Sequence, residues 1–161
     1  MKCNQCKLGL TARRNVIGRS LGSIPAKVLI IGEAPGRSED VTGVAFTVPE
    51  GRVLDRLLND ACITSFYIVN IVRCYPPEGR EPLPQEVLAC TPNVLITSSG
   101  TPPELVVFLG PLAQRYYGKE FPQGVLLSHP TLILRKGGAS SSLYSHNLRL
   151  LEDAYARSQD F

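Results

Sequence analysis

The chain has 161 residues, 43% hydrophobic and 19% charged, which suits one domain with a sizeable core and excludes a disordered chain. A net charge of +3 and a pI near 8.7 permit a nucleic-acid partner without demanding one. No apolar run reaches the ~18 residues of a membrane span. No apolar segment follows Met-Lys-Cys-Asn as a signal peptide would require, so a cytoplasmic address away from membranes is expected.

Residues 1–26 are polar, basic and aperiodic, with Cys3-x-x-Cys6 followed by Arg13, Arg14 and Arg19. They read as an irregular N-terminal arm. The run 27–32 (KVLIIG) is short, continuous and β-branched, the pattern of a strand buried on both faces. It stops at the turn-rich 32–36 (GEAPG). Residues 52–61 place Val53, Leu54, Leu57, Leu58 and Ala61 at helical spacing. A second buried strand spans 66–72 (FYIVNIV), interrupted only by Asn70. The Pro-Pro turn at Tyr75-Pro76-Pro77 comes next. A helix is expected over 84–98, with Pro84 in its first turn and Pro92 as a kink or break. Leu105–Leu109 is a third buried strand, and Pro111–Tyr117 is a helix ending at Gly118. Val125–Leu127 is a weak fourth strand running into Ser128-His129-Pro130. A Gly/Ser-rich loop then leads to a last helix over about 143–156.

Alternation of strands and helices predicts an α/β fold: a central, mostly parallel four-stranded sheet covered on both faces, in one domain spanning 1–161. Parallel strands joined by right-handed crossovers put their C-termini on one edge, where such sheets bind ligands. The segments arriving there are 32–36, Asn70, the loop after Leu109, and His129-Pro130.

Five cysteines without an export signal argue against disulfides and for a metal or cluster. Cys3, Cys6, Cys74 and Cys90 can supply four thiolates to a zinc ion or to a [4Fe–4S] cluster. Cys62 closes an apolar helix face and reads as a core residue.

One ordered series is distinctive: Cys3-x-x-Cys6, Gly32-Glu33-Ala34-Pro35-Gly36 with Glu39-Asp40, Ala45-Phe46, and Gly51-Arg52-Val53-Leu54-Asp55. It continues with Asn70-Ile71-Val72-Arg73-Cys74-Tyr75-Pro76-Pro77, Arg80-Glu81-Pro82, Glu86 to Cys90, Leu109-Gly110 and His129-Pro130. In that order these residues resemble the family 4 uracil-DNA glycosylases, from Cys3 to about Arg135. The resemblance implies a three-layer α/β/α sandwich, a structural [4Fe–4S] cluster on Cys3, Cys6, Cys74 and Cys90, and a monomer acting on uracil-containing DNA. The cluster would tie the arm to the segment after the second strand, closing a long loop.

Such an enzyme extrudes its base into a pocket, reads its edge and stabilises the leaving anion. By motif position the resemblance assigns stacking on uracil to Phe46 and reading of the base edge to Asn70. Donation to a uracil oxygen falls to His129, and placement of water or base to Glu33. Gly32 and Ala34 would lie against the base. Arg37, Arg52, Arg73, Arg80, Arg135 and Lys136 are candidate phosphate contacts.

The chain departs from the family at 45–51. Ala45-Phe46-Thr47-Val48-Pro49-Glu50-Gly51 stands in place of Pro-Phe-Val-Gly, with Val48 for the early glycine and Glu50 adding a negative charge. Two competing readings follow from this loop: a glycosylase fold that binds DNA or a protein without catalysis, and an enzyme for a different base.

Overall fold

The computed structural model describes residues 3–23, 25–47 and 49–160. Val48 therefore lies outside the described residues. Four parallel strands form the predicted sheet: β2 (Val28–Gly32), β3 (Phe66–Asn70), β4 (Leu105–Leu109) and β5 (Val125–Leu127). A fifth, β1 (Arg19–Leu21), pairs antiparallel with β3, giving the order β1-β3-β2-β4-β5. The sheet thus has five strands rather than four. β1 escaped the sequence reading because it is three residues long, largely exposed and without apolar alternation. It closes the open edge of β3. Arg19 fixes it there, with Nη2 2.6 Å from Asp55 Oδ1 and its guanidinium 5.9 Å from the Phe66 ring.

The apolar runs bury residues on both faces because successive side chains point opposite ways. Val28, Ile30, Phe66, Ile68, Val107 and Leu109 face one layer, formed by α3 (Glu50–Asp60), α6 (Pro130–Arg135) and α7 (Ser142–Ser158). Leu29, Ile31, Val69, Val106 and Phe108 face the other, formed by α1 (Leu8–Thr11), α4 (Pro84–Leu95) and α5 (Pro111–Tyr117). The result is a three-layer α/β/α sandwich. Each fully buried Leu or Ile contributes about 1.5–3 kcal/mol of burial.

Several boundaries differ from the sequence reading. The arm contains α1 as well as β1, and α2 (Arg37–Thr42) and α6 are additional short helices. α4 continues through Pro92 and ends at Leu95, followed by a 3₁₀ turn at Ile96–Ser98. Strand β3 ends at Asn70, although Ile71 N–H still donates to Gly32 O at 2.9 Å. Cys62 is exposed rather than buried. It sits past the end of α3 with φ +59, its N–H bonded to Asn59 O while Ile63 N–H reaches Leu58 O. That is a left-handed helix stop, which turns the Cys62 side chain out of the apolar stripe.

Candidate active site

The C-terminal ends of β2 and β3 lie side by side, with Gly32 in register with Asn70. Chain order reverses direction across the sheet at β2, the place where open α/β sheets form a ligand crevice. A pocket of about 410 Å³ opens there, lined by Ala34, Gly36, Arg37, Ser38, Glu39, Phe46, Pro49, Glu50, Asn70, His129 and Thr131. The structure thus brings together Ala34, Phe46, Asn70 and His129, as the sequence suggested. Glu33 and Gly32 are not among the lining residues.

Gly32 shapes the pocket by what it lacks. A methyl group there would come 2.5 Å from Asn70 Oδ1 and 2.6 Å from Phe46 Cζ. Gly32→Ala should therefore displace both side chains and reduce any pocket-dependent reaction at least tenfold while the sheet remains folded. Circular dichroism and a rate measurement on one preparation check this; unchanged turnover would show that Phe46 and Asn70 need not hold these positions.

Phe46 is buried in a left-handed backbone conformation, φ +51, which a bulky residue rarely adopts. Its surroundings enforce it. The carbonyls of Ala45 and Phe46 accept from Arg19 Nε and Nη2 at 3.1 and 3.4 Å. Gly51 has no side chain where a methyl would strike the Phe46 carbonyl. Strain held in this way is characteristic of functional positions.

Asn70 is buried at 5% exposure, and its Oδ1 has no hydrogen-bond partner among the described residues. His129 caps α6: its Nδ1 accepts the Thr131 backbone N–H at 3.1 Å. In the neutral imidazole the proton then belongs on Nε2, a tautomer assigned from this bond. Burial lowers the His129 pKa, and the Glu50 carboxylate opposes that only in part. The ring lies 6.2 Å from that of Phe46 at a 39° tilt. Near neutral pH the pocket therefore holds a neutral donor, a free amide oxygen and an aromatic face.

Glu33 has its carboxyl pushed above the ordinary range by burial and then by Glu81. Glu39 lines the pocket but accepts the Gly36 N–H, so it shapes the 32–36 turn. Of the candidate phosphate contacts, Arg37 reaches the pocket. Arg80 is committed elsewhere, in a two-pronged pair with Glu86 at 2.8 and 2.9 Å. That pair links the segment after Cys74 to the helix carrying Cys90.

Cys74 and Cys90 are buried, and Cys3 and Cys6 half-buried. Burial pushes the Cys74 thiol up to about 11, against a side-chain bond from Asn15, and the charges of Cys90, Cys3 and Cys6 raise it further. Burial raises Cys90 as well, with Cys6 and Cys3 again contributing. All four thiols thus lie within electrostatic reach of one another. Asn15 Nδ2 donates to Cys74 Sγ at 3.8 Å. Among the described residues no three Cys, His, Asp or Glu side chains are drawn together as a site for a single metal ion.

The uracil DNA glycosylase superfamily model matches residues 19–152, which include all five strands of the sheet and every lining residue of the pocket. This chain belongs to the uracil DNA glycosylase superfamily. It is 35% identical to the type-4 uracil-DNA glycosylase of Saccharolobus solfataricus over 122 residues, 74% of this chain and 56% of that protein. It is 35% identical to the enzyme of that name from Thermotoga maritima, covering 72% of this chain and 60% of the relative. Identity to the Archaeoglobus fulgidus type-4 enzyme is 33%, covering 72% and 58%. The chain spans little more than half the length of these curated relatives. Among the described residues, no helix is long and apolar enough to cross a membrane.

Proposed function

We propose that this superfamily member is a DNA N-glycosylase that hydrolyses the bond between uracil and deoxyribose. The observation that carries the reading is that Asn70, whose buried Oδ1 has no hydrogen-bond partner among the described residues, lines the same pocket as a neutral His129. A uracil extruded into the pocket stacks on Phe46. Asn70 Oδ1 accepts the base's N3–H, and the amide NH₂ donates to the neighbouring carbonyl oxygen. As the bond from N1 to C1′ breaks, negative charge develops on the uracil oxygens, and His129 Nε2–H donates to one of them. Water adds to C1′ on the face opposite the departing base, which the pocket still holds. Its lost proton balances the one the uracil anion takes up, so the products are free uracil and an abasic site. Glu33 serves to order that water or the base from the loop behind Ala34.

Cys3, Cys6, Cys74 and Cys90 would hold a [4Fe–4S] cluster, with zinc as the alternative occupant. The donor set fits: four thiols, two of them buried, with the Asn15 amide donating to the Cys74 sulfur. When bound, the cluster supplies a structural cross-link. It makes the arm and the sandwich one domain, a joint reinforced by Asp40, which accepts the backbone N–H groups of Arg13 and Arg14. A cluster of reduced thiolates suits the cytoplasm. Replacing Cys74 or Cys90 with alanine should abolish iron and sulfide binding and lower Tm by roughly 10 °C, while Cys62→Ala leaves both unchanged. Iron, zinc and sulfide analysis beside calorimetry decides between the occupants.

The activity itself is tested by incubating cluster-loaded protein with a uracil-containing oligonucleotide and cleaving abasic sites with alkali. Strand cutting only where uracil stood is the expected result. Intact strands, with cluster present and DNA bound, would overturn the reading.

A further inference from the structure

The base pocket has a neighbour. A second concavity, of about 400 Å³, is walled by Thr11 and Arg13 of the arm, Asp40 and Val41 of α2, and Tyr75 and Pro77 after β3; Arg37 lines both pockets. Its chemistry is divided. Tyr75, Pro77 and the half-exposed Val41 make an apolar, partly aromatic wall. Arg13 and Arg37 supply two guanidinium groups, neither in an ion pair among the described residues. The carboxylate in the lining, Asp40, is turned to the main chain rather than to either guanidinium: it is buried at 7% exposure, and its Oδ1 accepts the Arg13 and Arg14 backbone N–H groups at 2.8 and 3.1 Å. It anchors the arm and leaves the Arg13 side chain free.

An apolar, partly aromatic lining shared with two cations fits a nucleotide, stacked through its base and bound through its phosphate. The segments also run continuously from the base pocket: Arg37 is shared, and the chain from Asn70 leads through Cys74 to Tyr75. A ligand spanning both pockets must turn a backbone between them, as one DNA strand does on either side of an extruded base.

We propose that this second pocket is a subsite for the nucleotide next to the extruded uridine, with its base on Tyr75 and its phosphate between Arg13 and Arg37. The proposal rests on the glycosylase reading for its substrate. It adds that the arm is part of the DNA-binding surface, and that sequence or strand preference can enter through the flanking base.

The test uses full-length, cluster-loaded protein and single-stranded oligonucleotides ending at the uridine on one side, extended by one to four nucleotides on the other, in both polarities. Tyr75→Ala should weaken binding of one polarity roughly 5- to 150-fold, the range for losing one stacked base, and Arg13→Ala should weaken binding of the same polarity. The opposite polarity should be unaffected at equal iron content. The loss should appear in KM rather than kcat. Tyr75→Phe should restore binding, and Arg13→Ala should flatten the salt dependence by about one phosphate contact. Equal loss in both polarities, no loss in either, or full-strength binding of a free mononucleotide would overturn the subsite. Wild-type protein that binds one polarity through Arg13 and Tyr75 yet releases no uracil would overturn the glycosylase reading and leave the subsite standing.

Discussion

Asn70→Ala is expected to slow uracil release by roughly 10²–10³-fold without lowering Tm. The first half follows from losing a fixed hydrogen-bonding group at the base, where a single donor of this kind carries about that factor. The second half follows from its surroundings. A buried amide oxygen without a partner costs about 1–3 kcal/mol, and Asn70 Oδ1 is such an atom. Alanine removes that cost and leaves only a small void beside Gly32. Asn147 provides the contrast within the same molecule. It is more deeply buried, at 1% exposure, but its amide is fully used: Oδ1 accepts from Ser128 N–H, and Nδ2 donates to Ser128 Oγ and Leu143 O. Asn147→Ala should therefore lower stability by about 1–3 kcal/mol, several degrees in Tm, because it leaves those groups unpaired. Calorimetry and single-turnover rates on both variants separate an amide kept for a ligand from one kept for the fold. An Asn70→Ala protein that melts early, or still releases uracil at the wild-type rate, would remove Asn70 from the chemistry.

The parts of this molecule legible in its sequence are those whose signal is local and apolar. VLII, FYIV and LVVFL announce doubly buried strands because a sheet covered on both faces has no polar side to show. Asn70 stood out for the same reason, as a polar residue within such a run. β1 could not be read: its place depends on the open edge of β3 and on Gly18, where a side chain would collide with Ile68 O. α6 was missed because it is only six residues long and follows directly from His129, although Pro130 at its first position is a recognisable start signal. The lining contributions of Gly36, Ser38 and Thr131 were hidden because they come from a turn, a short helix and a main-chain N–H. Phe46 was identified by motif position, but its left-handed backbone depends on Arg19 and Gly51, which lie far from it or beyond an irregular loop. Arg80 shows the converse limit: composition cannot tell a cation reserved for phosphate from one already held by Glu86.

Uracil release should also fall on acidification, as pH drops through a His129 pKa held below the ordinary imidazole value of about 6.5, and Glu50→Gln should move that acid limb to lower pH. Thr131 N–H occupies His129 Nδ1 only while that nitrogen is unprotonated. Protonation must break the cap of α6 and bury a charge, and burial is the main reason the His129 pKa lies below its ordinary value. The folded state therefore binds this proton more weakly than the unfolded chain does. Stability contributed by neutral His129 is complete above the unfolded pKa of about 6.5 and is lost as pH falls through the lower folded value. Activity should follow, because the capped tautomer is what directs Nε2–H into the pocket. Glu50 acts in the opposite direction, its carboxylate drawing the His129 pKa upward. Neutralising it as glutamine lowers that pKa further and extends the active range toward acid. His129→Ala should lose roughly 10²-fold or more at neutral pH and abolish the limb. Single-turnover rates from pH 4.5 to 8 for the three proteins decide the matter. Activity that instead persists toward acid and falls as pH rises through the His129 pKa would show that His129 works as a cation. A limb that survives His129→Ala would remove His129 as its source and point to a carboxyl such as that of Glu33, which burial raises above the ordinary range.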